Sequence, residues 1–72
     1  MMIIAHTEQS SVIRSVAYSD AWNVLSIQFT SGKTYVYSKV PREIVGQLLG
    51  ADSIGVYFNK HIRDKFEYLQ IT

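Results

Sequence analysis

Between Ser11 and Ser38 apolar and polar positions alternate in short runs. The segments "SVIRSVAYS", "NVLSIQFT" and "KTYVYSKV" are rich in β-branched and aromatic residues, and turn formers bound each of them. That composition and period predict three strands. The break at Ser19-Asp20-Ala21-Trp22-Asn23 spans a few residues, and Thr30-Ser31-Gly32-Lys33 carries a glycine suited to a tight hairpin. Connections this short predict an antiparallel meander. In the middle strand Leu25, Ile27 and Phe29 fall on one face and Val24, Ser26 and Gln28 on the other, so the first set defines an inside.

From Pro41 the period lengthens to 3.6. Proline suits the first helical position, where a missing N–H costs nothing and φ is already near the helical value. On a helical wheel Ile44, Val45, Leu48, Leu49 and Ala51 gather on one side, with Glu43, Gly46 and Gln47 opposite. Gly50 and then Asp52-Ser53 mark a stop and a fresh N-cap, so a second helix begins near Ile54. Here Ile54, Tyr57, Phe58, His61, Ile62 and Lys65 share one arc, and Val56, Asn59, Lys60 and Arg63 lie across from it. The pattern makes His61 a core histidine bonded to a neighbour. The closing "FEYLQIT" alternates well enough for a fourth strand, with Phe66, Tyr68 or Leu69 covering the open end of the core. The expected architecture is α+β: a three-stranded antiparallel meander, two helices packed on one face, and a short C-terminal strand.

Composition adds bounds rather than detail. A chain of 72 residues has room for one core, and 47% hydrophobic with 18% charged residues is a folding composition rather than a disordered one. Without cysteine there is neither a disulfide framework nor a thiolate metal site. The apolar opening "MMII" is shorter than a secretory core and has no basic leader, and no run reaches the ~20 residues of a membrane span. A cytoplasmic protein is expected. The net charge is +1, yet six of the seven basic residues follow Thr30, so any electropositive patch comes from the later half.

Four segments carry a family resemblance: "YVY" at Tyr35 to Tyr37, the helix start Val40-Pro41, the junction "LLGADSIG", and "YFNKHIRDKF". In this order within so short a chain they resemble the KTSC domain, named for a C-terminal module of some lysyl-tRNA synthetases and found also in short stand-alone proteins. The resemblance runs from about Ser11 to Leu69. It divides the chain into an N-terminal extension, residues 1–10, and a KTSC-like domain, residues 11–72. It implies RNA binding. Two departures are the added "MMIIAHTEQ" and Phe66, where similar sequences tend to carry tyrosine.

Residue chemistry bears on that implication independently. Tyr35 and Tyr37 share one face of the third strand and Val36 takes the other. If Val36 packs inward, the two phenols stand side by side where bases can stack. If the tyrosines face inward, they seal the core with hydroxyls at its rim. Lys33, Lys39 and Arg42 flank this strand, and Asn59, Lys60 and Arg63 share the polar side of the second helix, a set able to contact phosphate oxygens. Exposed Trp22 and Val56 offer an alternative surface for a protein partner.

Catalysis and cofactors find no support. His6 and His61 are not paired with a nucleophile, no HxH or HxxxH spacing occurs, and glycines at 32, 46, 50 and 55 form no phosphate loop. The expectation is therefore a non-catalytic module without metal or cofactor. It binds RNA or single-stranded nucleic acid in the first reading and a cellular protein in the alternative.

Overall fold

The computed structural model describes residues 2–6 and 11–72. Residues 1 and 7–10 of the expected N-terminal extension lie outside the described residues. The elements are β1 (Met2–His6), β2 (Ile13–Ser19), β3 (Val24–Phe29), β4 (Thr34–Tyr37), α1 (Arg42–Leu49), α2 (Ile54–His61) and β5 (Tyr68–Gln70). All five strands join one antiparallel sheet in the order β1-β2-β3-β4-β5.

The α+β class and the three-strand meander hold, and the C-terminal strand exists, paired with β4. The count differs at the other end, where Met2–His6 adds a strand along β2, with Ile3 opposite Tyr18 and Ala5 opposite Val16.

Register assigns every side chain to a face, because residues directly opposite in an antiparallel pair point the same way. Tyr18, Leu25 and Tyr37 form one row and Val16, Ile27 and Tyr35 the next. Leu25 and Ile27 lie inside as expected, so Tyr35 and Tyr37 face inward with them. A register shift between Ile13 and Ser15 marks a bulge at Arg14, which lets Ile13 and Val16 both point into the core. At the β3–β4 turn Gly32 has φ +95°, a conformation that a side chain strains, and its N–H donates to the Phe29 carbonyl at 2.9 Å.

Both helices bury their apolar stripes against this inner face. Val45 and Leu48 from α1, with Phe58 and Ile62 at α2 and its end, join Ile13, Val16, Leu25 and Ile27 in one buried cluster. Pro41 is the N-cap of α1, one position earlier than the wheel suggests. Ser53 caps α2, its Oγ accepting from the Val56 N–H at 3.3 Å. The apolar arc of α2 is narrower than its sequence implies, because the helix ends at His61 and leaves Arg63 to Lys65 in the following turn. His61 is consequently exposed rather than buried. Its ring lies 4.4 Å from that of Tyr57, whose hydroxyl donates to Gln47 Oε1 at 2.7 Å. This flank of α2 faces α1 instead of the sheet. No helix of the described residues is long and apolar enough to cross a membrane.

Candidate functional site: a ring-lined cleft

Two eight-residue helices, each about 12 Å long, are short for a five-stranded sheet some 19 Å across. They leave the hairpin end of the inner face uncovered. A cleft of about 460 Å³ opens there, between the β3–β4 hairpin and α2. Its size suits a small ligand.

The wall is aromatic. Tyr35 stacks on Tyr68 with ring centroids 5.3 Å apart and on Tyr37 at 6.4 Å, and it meets Phe29 edge-on at 5.5 Å. Phe58 from α2 closes the circuit, edge-on to Phe29 at 5.5 Å and to Tyr37 at 5.7 Å. Such pairs contribute about 0.5–1.5 kcal/mol each beyond area burial, so the cluster holds α2 to the sheet as well as lining the cleft. Tyr68 arrives from β5, opposite Tyr37, and remains 54% exposed. The hairpin supplies Lys33, and α2 with its trailing turn supplies Gly55, Asn59, Arg63 and Asp64. Arg63 Nη1 approaches Asn59 Oδ1 at 3.4 Å, one helical turn away. The rim near Ser11 is tied down by Thr30, whose Oγ1 and N–H donate to the Ser11 and Val12 carbonyls at 3.0 and 2.8 Å.

Tyr37 differs from the rest. Only 2% of it is exposed, yet its hydroxyl makes no hydrogen bond among the described residues. The residue nevertheless lines the cleft. Burial, followed by the neighbouring Tyr35 and Tyr68, pushes the phenol up to about 12; Arg63 opposes that rise and Asp64 adds to it. Tyr37 is therefore a neutral O–H donor at any ordinary pH.

The structure separates the residues anticipated as one basic surface. Tyr35, Tyr37, Lys33, Asn59 and Arg63 converge on the cleft. Lys60 is exposed on α2 away from it. Lys39 and Arg42 lie at the opposite end of β4, in a shallow depression shared with Trp22 and Asp20, where Arg42 Nη1 stands 3.9 Å from Asp20 Oδ2. Of the two readings left open for the tyrosine pair, the inward one holds: Tyr37 is core, and Tyr35 and Tyr68 offer ring surface to the cleft. Trp22 is 80% exposed and Val56 is exposed too, but they belong to the loop after β2 and to α2 and do not share a cleft. Sequence reasoning missed Gly55 and Asp64, and it put Tyr68 only among residues covering the core. Among the described residues there is no cluster of three or more potential metal ligands.

A small antiparallel sheet carrying two helices on one face, with a ring-lined cleft at one end, defines the class: a single-domain module with an open aromatic cleft. The KTSC domain family model matches residues 9–66, and the chain belongs to that family. A crystal structure of a KTSC domain protein from Yersinia pestis superposes with a TM-score of 0.92 at 32% identity, covering 100% of both chains. A protein of Stutzerimonas stutzeri (strain A1501), described only as uncharacterized, is 46% identical over 52 residues, 72% of this chain and 73% of that one. A lysine–tRNA ligase of Nostoc punctiforme is 39% identical over 64 residues, which are 89% of this chain but 11% of the ligase.

Proposed function

We propose that this protein is a non-catalytic module that binds RNA or another single-stranded nucleic acid through the ring-lined cleft. The observation that carries the reading is the convergence of half-open Tyr35 and exposed Tyr68 with Lys33, Asn59 and Arg63 on one opening. Aromatic faces stack unpaired bases without regard to sequence, at about 1–3 kcal/mol per base, while cations and amides at the rim hold the backbone. Similarity to a segment of lysine–tRNA ligases, proteins whose name includes tRNA, agrees with an RNA partner. The net charge of +1 favours the adaptor alternative below, because nucleic-acid binders are more often strongly basic, and it limits any nucleic-acid contact to few phosphates.

The test is fluorescence anisotropy of a labelled single-stranded RNA over a range of salt concentrations. Binding should weaken steadily as salt rises, and Tyr68→Ala, at an exposed position, should weaken it with no change in the circular dichroism spectrum. Absence of salt-dependent binding sinks the proposal. The alternative, a protein-interaction adaptor, draws on one observation, the 80% exposure of Trp22 beside Lys39 and Arg42. On that reading partner capture survives nuclease treatment and is lost in Trp22→Ala.

A further inference from the structure

Three features of the cleft exceed what a general stacking site requires. The first is the unpartnered Tyr37 hydroxyl, on a residue almost wholly buried and opening into the cleft. Among the described residues no buried side-chain polar atom lacks a partner, so this hydroxyl oxygen is itself open to solvent and stands free at the cleft as a donor. The second is Asp64, which among the described residues is the only carboxylate lining a cleft that also presents Lys33 and Arg63. A carboxylate repels phosphate, so it has no place in a site that reads backbone alone. The third is Gly55 in the first turn of α2. An added Cβ meets nothing within 4 Å, so no close packing demands glycine there, although glycine weakens a helix. At this position glycine lines the cleft without a side chain to fill it.

A ligand answering all three is flat, accepts one hydrogen bond from a neutral hydroxyl, and donates to a carboxylate. Among the four RNA bases guanine fits best. Its O6 accepts, its adjacent N1–H and N2–H₂ donate together to a carboxylate, and its faces stack on tyrosine. Adenine presents an acceptor at N1, which a carboxylate repels. Uracil has a single N–H between two carbonyls, and cytosine places only one amino donor beside two acceptors. We propose that the cleft seats a single unpaired guanine, with O6 on the Tyr37 hydroxyl, N1–H and N2–H₂ on Asp64, one ring face against Tyr35 and Tyr68, and Gly55 leaving room for the bicyclic ring. This rests on the nucleic-acid reading above and adds a base preference to it.

The test compares four labelled RNA tetranucleotides, UUGU, UUAU, UUCU and UUUU, by anisotropy against the full chain. UUGU should bind at least about tenfold tighter than the others, the discrimination expected of one bidentate pair with a supporting bond. Asp64→Asn should cut UUGU binding while leaving UUUU unchanged or tighter, since a negative charge near phosphate is removed. A merely structural role for Asp64 weakens all four together. Tyr37→Phe deletes a hydroxyl with no internal partner, and it should reduce the preference for UUGU without moving UUUU. Gly55→Val should block the ring in every sequence. If all four bind equally, or the preference survives Asp64→Asn and Tyr37→Phe, the guanine proposal is overturned and the nucleic-acid reading stands. If none binds at any salt concentration, both fall.

Discussion

Tyr18 and Tyr37 flank Leu25 in one cross-strand row, both at most 2% exposed, and among the described residues only the Tyr18 hydroxyl of the two has hydrogen-bond partners. Its hydroxyl donates to the Val40 carbonyl at 2.7 Å and accepts from Asn23 Nδ2 at 3.0 Å, locking the loop after β2 to the start of α1. Tyr37 offers the same group to the cleft instead. One phenol is tied into the fold, and the other opens on the cleft.

Removing the two hydroxyls should therefore have unequal consequences. Tyr18→Phe strands the buried Val40 carbonyl and should cost about 1–3 kcal/mol. Tyr37→Phe should stay within about 0.5 kcal/mol of wild type. Urea denaturation of both variants at neutral pH checks this, and equal losses contradict the assignment.

Stability at high pH should depend on Tyr37. Its folded pKa is raised to about 12 by burial first and by Tyr35, Tyr68 and Asp64 after that. In the unfolded chain a tyrosine titrates near 10. Below pH ~10 both states are neutral and the contribution is complete; above it the unfolded state loses its proton first, and stability falls until the folded phenol ionises as well. The loss is on the order of 2 kcal/mol. Comparing wild type with Tyr37→Phe at pH 8, 9.5 and 11 isolates it from other titrations, and the variant should lose less.

Much of this arrangement is written in local pattern, and the remainder depends on register. The alternation of Leu25, Ile27 and Phe29 is strict, and it identifies the inner face. The side taken by Tyr35 and Tyr37 stays open when β4 is read alone, since "TYVY" is apolar on both faces. Pairing decides it: Tyr37 lies opposite Leu25 and Tyr35 opposite Ile27, while Val36 lies opposite Ser26 on the outer face. β1 was illegible for a similar reason. The run "MIIA" is continuous rather than alternating, and with Ile4 exposed and Ile3 half-buried only pairing with β2 distinguishes its faces. His61 misled because a helical wheel extends past the helix. The arc that placed it centrally includes Lys65, beyond the last turn of α2.

Gly55→Ala should stabilise the protein. The substitution lies in the first turn of α2, its methyl meets no atom within 4 Å, and alanine is the better helix former. A gain of about 0.5–1 kcal/mol, or roughly 2–8 °C in Tm for a domain this small, is expected. Thermal melts followed by circular dichroism measure it. A drop in Tm means that Gly55 serves packing, and the reading of it as space for a ligand loses its basis.

Salt dependence should distinguish the two groups of cations that primary structure had merged. Lys33 and Arg63 line the cleft, whereas Lys39 and Arg42 sit by Trp22 at the far end of β4, a strand of four residues and so about 13 Å long. Each cation that neutralises a phosphate of a single strand contributes about 0.7 to the slope of log K against log salt. Lys33→Ala and Arg63→Ala should each reduce that slope by about this amount, and Lys39→Ala should leave it unchanged. Arg42→Ala should leave it unchanged too, and because its pairing with Asp20 is exposed and long at 3.9 Å, it should move stability by at most about 1 kcal/mol. If Lys39 and Arg42 carry the slope while Lys33 and Arg63 do not, the strand runs past Trp22 instead, and the cleft is not where the backbone binds.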